Sequence, residues 1–406
     1  MIVAVPAAAA LLLVGWALRR TVPARSGLLA IVPAAIFGGL VALLLRLVDA
    51  LPGAVEGWQD AAYHLFGISF LAIGLTPTGP AKLRKGALWM GIGQWATFSL
   101  QAAAGGLAVL ALGSVHDGFG FLAPMGLNEG PGQALSIGRL WEDDYGFANA
   151  ASIGATIASI GFLVAYGGGL LAVRNRDAPI GAAPTAGRWT RETVAAALVL
   201  AVGYTVLYQL VFHGFGLIGE DVRDLVLAVM FFVALLAGMG VRILLQRRGR
   251  DIDGDHTRAV AVVAVDWLTV AILGSLTWEA ISGVATELIA VIVGAVAATV
   301  AVLWVAGRWI DQWRRERTLA LFGTVTGTAA SGLALLALAD PELESPVAAE
   351  LGAMVVVSAP AVLGGIALAT AIASGAVSAT VGTVVFAVVG VASLAVLAAV
   401  MGRVPE

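Results

Sequence analysis

The chain has 406 residues, of which 60% are hydrophobic and only 12% charged, about half the charged fraction of a soluble protein. An apolar interior on that scale could be buried in water only by several domains with polar shells, and no polar shell is present, so the composition excludes a water-soluble protein. The net charge of −3 points away from a nucleic-acid partner, and the absence of cysteine removes disulfides, thiol nucleophiles and thiolate metal sites.

The first apolar segment, 2–18, is followed by Arg19 and Arg20 rather than preceded by basic residues. A cleaved secretory signal carries its positive charge first, so this segment reads as a first membrane span with its N-terminus outside. Further segments of bilayer-spanning length follow near 30–48, 61–76, 87–112 and 146–173. A second series lies near 192–212, 224–246, 260–278, 281–306 and 348–373, with a last one at 376–401. The expected fold is an all-α integral membrane protein of about 11 spans in the cytoplasmic membrane.

Basic clusters at Arg19–Arg25, Lys82–Lys85, Arg174–Arg191, Arg242–Arg258 and Arg308–Arg317 alternate with connectors poor in Arg and Lys. The positive-inside rule alternates over the first five spans only if 119–140 enters and leaves on the same side. That segment therefore reads as re-entrant from the outside. Several Trp residues, among them Trp16, Trp58, Trp189, Trp278 and Trp309, lie near span ends, where interfacial anchoring and ordinary packing both account for them.

Each half holds five spans and one polar, glycine-rich break, and an odd number of spans inverts the second half relative to the first. The breaks are 128–144, "NEGPGQALSIGRLWEDD", and 323–340, "GTVTGTAASGLALLALAD". Aligning Gly130 with Gly327 places Asp143 on Asp340, and a looser match earlier in each half places Asp60 near Asp266. The expected organisation has a first repeat at 1–176 with re-entrant segment 119–140, and a cytoplasmic linker at 177–188. An inverted second repeat at 189–375 follows, with a broken segment at 318–340, then an extra C-terminal span at 376–406. Interrupted helices at matching positions of inverted repeats point to the binding site of a secondary transporter.

Backbone groups cannot go unpaired in lipid, so irregular chain at that depth must line protein or water. In the first break Gly130 and Gly132 let the chain turn, and Pro131 suits the first turn of a helix running to about Trp141. The helix N-terminus favours an anion, with Asn128, Glu129, Gln133 and Ser136 around it. In the second break Thr324, Thr326, Thr328 and Ser331, with Gly323, Gly327 and Gly332, make a hard-oxygen environment suited to Na⁺ or an ammonium group. Kinked helices packed through small residues are the alternative. Glu129 stands out, because an ionisable side chain inside a membrane protein is expensive and usually functional. It could bind a cation, carry a proton or pair with a substrate ammonium, or it could be solvated at the segment's mouth. Gln94 reads as an interhelical hydrogen bonder, His64 as a packing residue, and Arg46 and Asp49 as snorkelling side chains.

"YGFANAASIGATIASIGFLVAYGGG" (145–169), after a glycine-rich polar segment, resembles the bacterial and archaeal sodium–glutamate symporter family, in which a Tyr-Gly-Phe-Thr-Asn-Ala start to a span follows such a segment. Tyr145, Gly146, Phe147, Asn149 and Ala150 carry that match. "IVPAAIFGGLVALLL" (31–45), "FLAIGL" (70–75), Gln101 and "LALFGTVTGTAASGLALL" (319–336) are similar to further family segments, collinear over most of 30–373. The resemblance implies a homodimer with a scaffold part and a mobile part, working by alternating access with Na⁺ coupling. The family's His-bearing segment is here Asn-Glu-Gly-Pro-Gly-Gln. A carboxylate at that point would repel a dicarboxylate, which leaves glutamate, another amino acid or an organic acid open as cargo.

The expected function is cation-coupled symport of glutamate or a related small anionic or zwitterionic acid. The substrate is expected at Asn128, Gly130, Gly132, Gln133, Ser136, Thr326, Gly327 and Thr328, and Na⁺ at Glu129, Gln101, Asn149, Thr324 and Ser331, with no other metal or cofactor. Proton coupling through Glu129 and a channel are the rivals. An enzyme is disfavoured, since there is no His-Glu-x-x-His segment, no Cys and no evident Ser–His pairing.

Overall fold

The computed structural model describes residues 2–21, 32–77, 85–113, 115–173, 190–340 and 345–402. The expected linker 177–188 lies outside the described residues, as do Lys82, Arg174 and Trp189. Along the chain run α1 (Ala4–Thr21), α2 (Ala34–Leu47), α3 (Val55–Leu75), α4 (Lys85–Leu112), α5 (Leu122–Leu127), α6 (Pro131–Tyr145) and α7 (Ala150–Val173). They are followed by α8 (Arg191–Gly216), α9 (Glu220–Ala228), α10 (Met230–Arg247), α11 (Gly254–Gly274), α12 (Trp278–Ser282) and α13 (Ala285–Ala306). The last are α14 (Arg314–Val325), α15 (Ala329–Ala339), α16 (Val347–Ala373) and α17 (Ala379–Met401). The described residues contain no strand.

Local chemistry sets several of these ends. The Thr190 hydroxyl accepts from Thr193 N–H at 3.2 Å to start α8, and the Ser378 hydroxyl accepts from Val381 N–H at 3.3 Å to start α17. Gly146, left-handed at φ 69°, ends α6.

Among the described residues nine helices are long and apolar enough to cross a membrane: α1, α4, α7, α8, α10, α11, α13, α16 and α17. This is a multi-pass membrane architecture. Two of the expected spans fall outside the set. The segment 30–48 is represented by α2, only 14 residues long, and 61–76 lies in α3, whose N-terminal half carries Glu56, Asp60 and His64.

The helices group into two compact units. One holds α1–α3 and α8–α11; the other holds α4–α7 and α12–α17. The units do not follow the expected division at 1–176 and 189–375: each half of the sequence contributes its first helices to one unit and its break to the other.

In the first unit α3 packs on α10 and α11, and α1 on α2. Where α3 crosses α10, a methyl group on Gly238 would stand 2.5 Å from the Leu71 oxygen, the close backbone approach that holds membrane helices together. Several single residues are placed here. The Arg46 Nε donates to Gly274 O at 2.9 Å, at the C-terminal end of α11, where a cation is favoured. His64 sits among Tyr63, Tyr204 and Tyr208, with Nδ1 3.2 Å from the Tyr204 hydroxyl, a packed and partnered histidine. Trp58 is fully buried and donates to Pro52 O at 2.9 Å, so it is a packing residue, whereas Trp278 is exposed.

In the second unit α4 is the central rod, packed against α13, α16 and α17. Trp89 on α4 donates through Nε1 to Ala306 O at the end of α13, at 2.9 Å. Around it Met90, Leu321, Leu336, Leu351 and Met354 form a continuous apolar core. Near one end of this core Arg317 of α14 makes a bidentate ion pair with Glu350 of α16, at 2.8 Å through Nε and 2.8 Å through Nη2. Both side chains are buried, 7% and 2% exposed.

Candidate functional site

Both glycine-rich segments are broken helices. The chain leaves α5 at Leu127, turns through Asn128, Glu129 and Gly130, and re-enters helix at Pro131. Gly130 adopts φ 89°, ψ −179°, a region essentially confined to glycine. Pro131 follows at the first helical position, where its missing N–H is no loss. The helix continues four residues past the expected end at Trp141. In the second segment α14 stops at Val325, and Thr328 caps α15, its hydroxyl accepting from Ser331 N–H at 3.4 Å.

The two breaks meet. A methyl group added at Gly130 would stand 2.9 Å from Thr328 Cγ2 and 3.1 Å from the Gly327 oxygen. α7 lies along both. Methyl groups at its Gly154, Gly161 and Gly168 would stand 2.8 Å from Ala134 O of α6, 2.5 Å from Thr326 O in the second break and 2.7 Å from the Phe322 ring of α14. Seven-residue spacing puts these glycines on one helix face, so a single smooth stripe receives both broken segments.

α4 supplies the polar wall. The Gln94 amide nitrogen lies 3.1 Å from Asn128 Oδ1 and 3.1 Å from Glu129 Oε1. One heptad on, Gln101 Nε2 donates to Val325 O and to Thr299 Oγ1 on α13, each at 2.9 Å, and its Oε1 lies 3.4 Å from Asn128 Nδ2. Gln101 is fully buried. A Gln101→Leu variant orphans the Val325 carbonyl. It should lose about 1–3 kcal/mol of stability, read as a lower melting temperature of the purified protein; an unchanged melt would show that the bridge holds nothing.

The expected substrate residues come together as follows. Asn128, Gly130, Gly132 and Gln133 form the first tip, and Thr326, Gly327 and Thr328 the second, all buried except Thr328, which is half-exposed. Ser136 is buried a turn further along α6, its hydroxyl donating to Gly132 O at 2.8 Å. Of the expected cation residues, Glu129 lies at the junction and is half-buried, while Thr324 and Ser331 are buried on either side of the second break. Gln101 belongs to the polar wall. Asn149 does not belong. It is exposed, with φ 60°, at the start of α7, separated from the tip by the whole of α6, about 22 Å at 1.5 Å per residue. The match at 145–150 is a helix boundary, which needs a turn and not a ligand.

The Thr324 and Thr326 hydroxyls donate to Ala320 O at 2.8 Å and Phe322 O at 2.6 Å, within their own helix. Their lone pairs remain acceptors for a cation. Among the described residues no three His, Asp or Glu side chains cluster, so the oxygen donors at the junction are neutral ones and the Glu129 carboxylate.

Thr299 is the polar residue that sequence reasoning missed here, and Gln94, read as an interhelical hydrogen bonder, reaches Asn128 and Glu129 at the tip. The signal for Gln94 was its heptad spacing to Gln101, which puts both amides on one face of α4; Thr299 lay in an apolar run with no such mark. Comparison with known proteins adds no relative: no protein-family model, curated protein or solved structure matches the chain.

Proposed function

We propose that this chain is a secondary-active transporter of the inner membrane, taking up a small amino or organic acid by alternating access with Na⁺ as the coupling ion. Glutamate, the substrate of the symporter family that the sequence resembles, is the starting case. The observation that carries the reading is the meeting of two helix breaks from opposite halves of the chain, with Glu129 beside them. Broken helices whose N-termini converge at membrane depth are how transporters present donors to an anion and oxygens to a cation.

Further support comes from the packing of elements that correspond between the halves. α3 packs on α11 and α4 on α13, as they do when two inverted repeats lie about a common axis. In this reading α5–α6 and α14–α15 are re-entrant hairpins, the N-terminus lies outside, the unit bearing the breaks carries the site, and two copies form a dimer. The chemistry is transport and not catalysis.

Uptake of radiolabelled glutamate into proteoliposomes, under an inward Na⁺ gradient and a K⁺ control, is the direct test. Saturable uptake only with Na⁺ is expected, and Asn128→Ala and Thr326→Val should each reduce it. Normal transport by both variants would remove the site from this junction. Proton coupling is the second reading, favoured by the position of Glu129, an ionisable side chain in the turn between α5 and α6; uptake that follows a pH gradient and ignores Na⁺ would establish it.

A further inference from the structure

Charge at the junction narrows what the transporter carries. The stretches nearest it are 86–112 of α4, 122–138 across the first break, 150–173 of α7, 288–306 of α13 and 318–339 across the second break; the next charged residues, Lys85, Arg139, Glu287, Arg317 and Asp340, stand nine or more residues along the chain from Gln94, Gly130, Thr299, Thr326 and Thr328. Together the five stretches contain a single Asp, Glu, Lys, Arg or His side chain, Glu129. No Lys, Arg or His stands anywhere in these five stretches.

The two helix N-termini at the junction carry donor chemistry in matching places. Gln133 is the third residue of α6 and Ser331 the third residue of α15. Each is buried, 1% and 0% exposed. Gln133 Nε2 and Ser331 Oγ have no hydrogen-bond partner among the described residues. Ser331 Oγ turns into the break, since a methyl group on Gly327 would stand 2.7 Å from it. A buried donor left unpaired costs about 1–3 kcal/mol, and two of them at equivalent positions of two converging helix N-termini is an arrangement that a ligand relieves. No side chain caps α6, so its first N–H groups add to the same set.

The electrostatic balance decides the ligand's charge. Each helix N-terminus acts as about +0.5 of an elementary charge, so the two together offset the single negative charge of Glu129. A ligand with no net charge keeps that balance. A second carboxylate on the ligand would have only the coupling Na⁺ to pair with, since the five stretches hold no positive side chain.

We infer that the substrate is a zwitterionic α-amino acid with an uncharged side chain. Its carboxylate lies at the N-termini of α6 and α15, bonded by Gln133 and Ser331, and its ammonium lies against the Glu129 carboxylate. This rests on the transporter reading and deepens it by naming the substrate class of the same site.

The test is uptake into proteoliposomes, with the Na⁺ gradient and the pH gradient each applied, of the uncharged protein amino acids beside L-glutamate and succinate. Competition by propionate and by ethylamine, which each lack one of the two charged groups, is read in the same assay. Saturable uptake of an uncharged amino acid is expected, with neither single-charge competitor effective. Glu129→Gln should raise KM about tenfold or more, the scale of a lost charge-assisted hydrogen bond, while Glu129→Asp, which keeps the charge, recovers part of the loss. Melting temperatures of both variants near that of the parent protein show that neither has simply unfolded. Uptake of L-glutamate or succinate in preference to every uncharged amino acid would overturn the substrate class and leave the transporter standing; so would wild-type KM in Glu129→Gln. Uptake of none of these probes by folded protein would overturn both.

Discussion

Arg317→Met should be the most destabilising single substitution in the unit that carries the site, at about 3–5 kcal/mol. The guanidinium holds both oxygens of Glu350 at 2.8 Å and also donates to Gln312 O at 2.6 Å. Taking it away leaves a carboxylate that is 2% exposed without its bidentate partner. Glu350→Leu alone should cost a similar amount by stranding the guanidinium. The double variant Arg317→Met with Glu350→Leu should recover much of the loss, because an apolar pair of similar volume replaces a buried ion pair at little net cost. The measurement is the melting temperature of the detergent-purified protein for the three variants. Equal, additive falls in the two singles and the double would mean that the residues act independently.

For transport, Gly130→Ala should have the largest effect of a single methyl group. The backbone at φ 89°, ψ −179° is strained for any L side chain, by about 1–3 kcal/mol. The added carbon also meets Thr328 Cγ2 at 2.9 Å, across the junction of the two breaks. Uptake should fall by about tenfold to a hundredfold, at 1.4 kcal/mol per factor of ten. Adding Thr328→Ser removes the Cγ2 contact but not the strain, so the pair should recover only part of the activity. Full recovery would show that contact, and not backbone geometry, sets the loss.

The first break was legible because its chemistry is local. A Gly-Pro-Gly run can only turn and then start a helix, and Gly130, Pro131 and the N-terminus of α6 lie where that argument puts them. Thr328 as a helix cap follows from the same kind of reasoning. What was not legible depends on distant partners. Arg317 read as one of a basic cluster, and nothing in that segment says that Glu350, 33 residues later, closes on it. The Arg46 acceptor, Gly274 O, was hidden in the same way, since it belongs to a helix far along the chain. Asn149 misled for the opposite reason. A motif match was taken for a ligand, whereas its positive φ marks a bend before α7.

The grouping into units was hidden for a related reason. Hydropathy counts helices in sequence and is blind to which ones share a core, so a boundary drawn between the halves of the chain missed that both halves are divided in the same manner.

The glycine face of α7 has a mechanical consequence. Side chains that interlock act as cogs and hold two helices in one register, so that any slip must lift one set of teeth over another. Gly154, Gly161 and Gly168 have no teeth. What they offer to Ala134, Thr326 and Phe322 is bare backbone, on a bearing surface with one glycine about every two turns of helix. Both broken segments rest on that one track, where no side chain of these glycines locks either of them in register.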